Sequence, residues 1–176
     1  DRRGWNWPMY QELVAFAAER GWPLIAANLS RAQARDIALG KVTPALPPAD
    51  AVQLSALQDA LVRGHCGYRP PDEQLARLVA AQRARDARMA GALEAAARSH
   101  AQVVFITGAG HAHRGHGVPR YMKDDRSVLV IALIEVDADH RLPQDYALSG
   151  YDYVWFTAAT PRKDPCLGPM GAAITG

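Results

Sequence analysis

Val103-Val104-Phe105-Ile106-Thr107-Gly108-Ala109-Gly110-His111-Ala112-His113-Arg114-Gly115-His116-Gly117-Val118-Pro119-Arg120 decides the fold class of this chain. The apolar, β-branched run Val103 to Ile106 reads as a buried strand. It feeds straight into a glycine-rich turn, and open α/β sheets receive their ligands at the carboxyl ends of strands. Gly108, Gly110, Gly115 and Gly117 permit tight turning or close approach to a ligand, while His111, His113 and His116 supply nitrogen ligands or proton-transfer groups. Neither standard phosphate motif fits. Counting from Gly108, a G-x-G-x-x-G fingerprint demands glycine at position 113 and meets His113, and the turn holds no P-loop lysine. Zinc held by these three histidines alone is disfavoured, because the flexible glycine spacing locks no tetrahedron and no neighbouring Cys or acid completes the set.

Working outward, strands and helices alternate. Asn6 is positioned to cap a helix that carries Leu13, Phe16 and Ala17 on one stripe and ends at Gly21. Residues 23–29 then read as a short buried strand, and Ser30 caps a helix stopping at Gly40. A third helix spans residues 50–63. A break at His65-Cys66-Gly67-Tyr68-Arg69-Pro70-Pro71 separates it from a long helix over residues 72–98. Past the histidine turn come strands at 128–136 and 153–157. This alternation predicts an α/β domain with a mostly parallel sheet flanked by helices.

The long helix carries a second signal. Its apolar stripe runs Leu75, Leu78, Val79, Gln82, Asp86, Met89, Leu93, Ala96, so Gln82 and Asp86 occupy core-facing positions with Arg85 beside them. Polar groups on such a stripe require partners, either a structural bridge or a polar pocket. Together with the histidine turn, the pocket is the reading adopted.

At 176 residues the chain suits a single domain. Its 20 Lys+Arg balance 18 Asp+Glu to a net charge of +2, and the basic residues are dispersed, so nothing points to a nucleic-acid partner. No run of about 18 apolar residues suggests a membrane span. Cys66 and Cys166 admit two readings: unrelated buried thiols, or a bridge closing a loop of about 100 residues and contributing up to about 4.7 kcal/mol through the unfolded state.

Four segments taken together resemble the ChaN-like haem-binding lipoproteins of the wider superfamily that includes Tiki proteins, TraB and erythromycin esterases. They are Trp7-Pro8-Met9-Tyr10, the run from Ile25 to Arg31, Gln82 to Ala90, and Gly108-Ala109-Gly110-His111 leading to Gly117-Val118-Pro119. The resemblance extends from Trp5 to about Cys166. That superfamily is marked by two G-x-x-H motifs and a helical arginine; Gly108 to His111 matches the second motif and Arg85 the arginine. The first motif and its acid, placed by the resemblance on a strand nearer the N-terminus, have no counterpart here. The expectation is therefore that residues 1–176 form one ChaN-like domain, its C-terminal two thirds, lacking the N-terminal strand and helix and leaving a strand edge that is unpaired or met by a partner segment from elsewhere.

The resemblance implies haem binding in bacterial iron uptake rather than enzymatic turnover, by a lipoprotein anchored in the cell envelope and facing the periplasm or surface. It also implies a homodimer enclosing the haem, and an outer-membrane uptake system as a partner. Tyrosine is an axial ligand type for haem iron. Tyr68 is the first candidate, with His65 and Arg69 beside it, Arg69 being suited to a propionate. Tyr121 is the second candidate ligand, and Arg85, His111, His113 and His116 complete the expected cofactor-binding set. The alternative implied by the esterase relatives is a metal-dependent hydrolase with His111 as ligand or base and Arg85 stabilising an oxyanion.

Overall fold

The structure is a computed structural model that describes residues 7–123, 128–136, 139–140, 142–160 and 166. Among these residues five α-helices and two strands follow in chain order: α1 (Trp7–Glu19), α2 (Arg31–Ala38), α3 (Ala51–Gly64), α4 (Asp72–Ala97), α5 (Ala109–Ala112), β1 (Ile131–Glu135) and β2 (Tyr153–Thr157). The chain is an α/β protein with a small parallel sheet. β1 and β2 pair in parallel, with Ile131 opposite Tyr153 and Leu133 opposite Trp155.

Local sequence accounts for the helix ends. Ser30 accepts the Gln33 amide while the Gln33 side chain reaches back to the Ser30 N–H, a reciprocal capping box that starts α2. The carboxylate of Asp50 accepts the Gln53 amide at 2.7 Å and starts α3. Gly21 and Gly40 take left-handed φ of +66° and +73° just past α1 and α2, where a side chain would be strained. The cap expected at Asn6 lies outside the described residues.

α4 is the organising element, 26 residues and so about 39 Å long. Ile37 of α2 packs on Ala81 and Ala84, with Leu29 and Leu46 alongside. Further along, Met89 and Ala90 pack with Val118, Ala27, Phe105, Leu93, Tyr121 and Met122. Small alanines along these faces let neighbouring backbone come close to the helix. Near its start, Leu75 of α4 and Leu57 of α3 are each only 1% exposed.

Two expectations are corrected. Residues 23–29 and 103–106 are not strands: among the described residues, neither 23–28 nor 101–107 makes a backbone–backbone hydrogen bond. Ala27 and Phe105 rest on the same α4 cluster, yet the two segments share no ladder. The burial expected for them fails as well. Leu24, Ile25 and Ile106 are exposed and Val104 is 82% exposed, because no described element covers their outer sides. The sheet repeats the pattern: Leu129, Ile131, Leu133, Tyr153 and Trp155 are all exposed, whereas Val130 and Ala132, alternating with them, are buried. The 128–136 strand shortens to Ile131–Glu135.

Candidate functional site

The glycine-rich turn folds against the middle of α4. Gly108 opens α5, and the turn closes where the Gly117 N–H donates to the His113 carbonyl at 2.7 Å. Gly117 is required by contact rather than by conformation. Its φ of −91° suits any residue, but a Cβ there would sit 2.2 Å from the His111 carbonyl oxygen. That close approach holds His111 over α4.

His111 Nδ1 lies 2.6 Å from Asp86 Oδ1, and the Asp86 side chain is fully buried. Gln82 Nε2 lies 3.0 Å from the same nitrogen and 3.4 Å from Nε2, so the amide caps the imidazole. Burial raises the Asp86 carboxyl above its usual range, opposed by His111 and by the Arg85 charge. Arg85 is tethered through Nε to Asn28 Oδ1 at 3.3 Å, which ties α4 to the segment before α2. Asp86 Oδ2 is buried and has no hydrogen-bond partner among the described residues. Gln82 and Asp86, the two polar residues on the α4 stripe, thus both meet the His111 ring and fix its orientation.

His113 and His116 take a different part. Their rings stack at 4.1 Å, and His113 meets Tyr151 edge-on at 5.4 Å. His113 Nδ1 accepts the Gly115 amide, and its ring lies so close to Gly150 that a Cβ there would fall 2.0 Å from Nε2. Burial lowers the His113 pKa. His116, buried and with Nδ1 unpartnered among the described residues, has its pKa lowered to about 4 by burial first and then by the His113, Arg63 and His111 charges. These two imidazoles are packing groups that join the turn to the 150s segment. Arg114 completes that junction with a two-point ion pair to Asp152, at 2.8 and 2.6 Å, and a bond to the Val128 carbonyl. The Arg114 bonds, with help from the Val130 amide, hold the Asp152 carboxyl below its ordinary range.

The two tyrosines part company. Tyr121 packs against the Met89 cluster, and its hydroxyl oxygen accepts from Arg83 Nε at 3.1 Å and Gln53 Nε2 at 3.3 Å. Burial raises its pKa, against the Arg83 bond. Tyr68 is 41% exposed and lines a hollow of about 170 Å³ between the end of α3 and the start of α4, together with Leu61, His65, Pro70, Leu75 and Leu78. His65 Nδ1 donates to the Leu61 carbonyl at 2.7 Å, which leaves Nε2 for a ligand. Arg69 instead turns to Asp72 at 3.4 Å. The hollow and the dyad lie on successive turns of one α4 stripe. Leu75 and Leu78 belong to the first, Gln82 and Asp86 to the second, and Leu78 and Asp86 are about 12 Å apart along the axis.

Sequence reasoning grouped Asp86, Gln82, Arg85 and His111; the structure joins Gln82, Asp86 and His111 directly, while Arg85 reaches Asn28. It missed Gln53 and Arg83 as partners of Tyr121, and Gly150, Tyr151 and Asp152 as partners of the turn. Those pairings are 38 to 68 residues apart for Arg83, Gln53 and Asp152, and no local periodicity carries them. Cys66 and Cys166 form a disulfide across 100 residues, which selects the bridged reading. Among the described residues no group of three His, Cys, Asp or Glu side chains is arranged to hold a metal ion.

Comparison with known proteins gives concordant results. No curated protein matches the chain. A solved structure described as cofacial heme binding to ChaN of Campylobacter jejuni is similar, with 26% identity and a TM-score of 0.60 over 77% of this chain. The chain spans about half of that one, 55% of its length. A family model described as haem-binding uptake, Tiki superfamily, ChaN matches residues 1–122, and the chain belongs to that family.

Proposed function

We propose that this chain binds haem at the hollow between α3 and α4, with the Tyr68 oxygen as axial ligand of the iron. The carrying observation is the hollow itself, with apolar walls from Leu61, Pro70, Leu75 and Leu78 and a half-exposed phenol and an imidazole among its lining groups. Apolar walls with a few polar groups suit a flat, largely apolar macrocycle. Tyr68 is favoured over Tyr121 because the Tyr121 oxygen already accepts two hydrogen bonds from the protein. Bound there, ferric haem would supply a Lewis-acidic iron that a phenolate oxygen satisfies.

The residues fit one face of the group rather than the whole of it. At about 170 Å³ the hollow is smaller than the roughly 300–1,000 Å³ of ordinary ligand pockets, so a macrocycle seated on it keeps an open face. In the homodimer reading a second copy covers that face. The role is haem handling in uptake rather than catalysis, in an envelope-anchored protein that exchanges haem with an outer-membrane system.

Spectral titration with haemin tests the reading. The expected result is a saturable Soret band that is weakened and shifted in Tyr68→Phe and retained in Tyr121→Phe. A titration unchanged by Tyr68→Phe, or one abolished by His111→Ala alone, would overturn the assignment.

A further inference from the structure

We infer that the Cys66–Cys166 disulfide is a positioning device for the haem ligand, holding the α3–α4 corner in the backbone conformation that presents Tyr68. The inference rests on the haem reading above and adds to it a residue whose chemistry is otherwise unused. At the end of α3 the chain reverses through two consecutive left-handed residues, Cys66 at φ +57° and Gly67 at φ +82°. Glycine adopts this region freely. Among the described residues, Cys66 is the only non-glycine with positive φ. Its conformation is held locally by two backbone bonds, Cys66 N–H to the Arg63 carbonyl at 3.2 Å and Gly67 N–H to the Val62 carbonyl at 2.9 Å. The next residue is Tyr68, whose N–H donates to the His65 carbonyl at 3.0 Å.

Tyr68, the group proposed to meet the iron, therefore lies two residues from a strained position, and that position is covalently fastened to a residue 100 positions away. An exposed corner with a left-handed cysteine relaxes when released, because the strain is no longer opposed by a fixed Sγ. With the bridge intact the Tyr68 phenol is pre-organised and the haem site bears less ordering cost on binding. Loss of the bridge would leave the fold's α4 core in place while lowering the fraction of chains whose corner is competent.

The test uses the full chain and avoids thiol reductants, which themselves ligate ferric haem. The double variant Cys66→Ser/Cys166→Ser removes the bridge and leaves at position 66 a residue that disfavours the left-handed region. Cys66→Asn/Cys166→Ser removes it and supplies a residue that tolerates that region. Haemin titration is expected to show affinity reduced on the order of tenfold in the serine variant, with the same ligation spectrum, and largely recovered in the asparagine variant. Amide hydrogen exchange on the haem-free proteins gives a second readout: Gly67 and Tyr68 exchange faster in the serine variant than in the parent or the asparagine variant. Equal haemin affinity in parent and serine variant, or no recovery with asparagine, would overturn the inference. If the parent shows no Soret band but the exchange pattern appears, the haem reading fails and the positioning role at the corner survives.

Discussion

Replacing Gly117 with alanine tests the geometry that brings His111 onto α4. The new methyl carbon would lie 2.2 Å from the His111 carbonyl oxygen, 2.6 Å from its carbonyl carbon and 2.9 Å from the Gly110 carbonyl oxygen. A relaxed carbon–oxygen contact is about 3.3 Å or more, so the turn must open by about 1 Å. The obstructing atoms are backbone, and no rotamer change relieves them. Opening the turn also stretches the 2.7 Å bond from the Gly117 N–H to the His113 carbonyl and the 2.6 Å His111–Asp86 contact. Overpacking of this kind costs about 1–3 kcal/mol. For a chain of 176 residues this corresponds to a fall in Tm of roughly 2–12 °C. Thermal unfolding followed by circular dichroism reads it, with Gly108→Ala as the control: that position has φ of −66° and no atom within 4 Å of an added Cβ. The control is expected to match or slightly exceed the parent, since alanine restricts the unfolded chain. A Gly117→Ala protein as stable as Gly108→Ala would refute the tight approach of the turn to itself.

Acidification should destabilise the turn through His116. Its pKa is about 4 in the fold against 6.5 for the free side chain, so its neutral-form contribution is complete above about pH 6.5 and is lost as pH falls toward 4. Between pH 7 and 5 the loss is at most about 2 kcal/mol, read as a smaller difference in denaturant midpoint for His116→Gln than for the parent. Taking that difference removes the opposing contribution of Asp86, whose raised pKa favours the fold as pH falls. A parent profile with the same slope as the variant would contradict the burial of His116. Met89, 2% exposed at the centre of the second α4 cluster, is expected to cost about 2–5 kcal/mol when cut to alanine, measured by urea denaturation. A loss below about 1 kcal/mol would show that the cluster is not packed as described.

How far the sequence carries the fold depends on where the information is local. Helix boundaries were legible because Ser30, Asp50, Gly21 and Gly40 act within a turn of themselves, and α4 was legible because its stripe repeats over 26 residues. The same stripe exposed Gln82 and Asp86 as anomalies before any partner was known. Strands fared differently. The apolar runs at 23–29 and 103–106 have strand composition, but a strand exists only when a neighbour supplies its ladder, and no described neighbour does. The histidines show the other limit. His111, His113 and His116 are equivalent in sequence, and only packing separates the one oriented by Asp86 from the two stacked on each other, His113 of them against Tyr151 and Gly150. The Cys66–Cys166 pairing depends on a contact across 100 residues that spacing alone does not select.

The most direct measurement is a crystal structure of the chain grown with haemin. It is predicted to show the macrocycle against Leu61, Leu75 and Leu78, with iron bonded to the Tyr68 oxygen and a second copy over the outer face. Iron bonded to His111, or haem seated away from the α3–α4 hollow, would contradict the account.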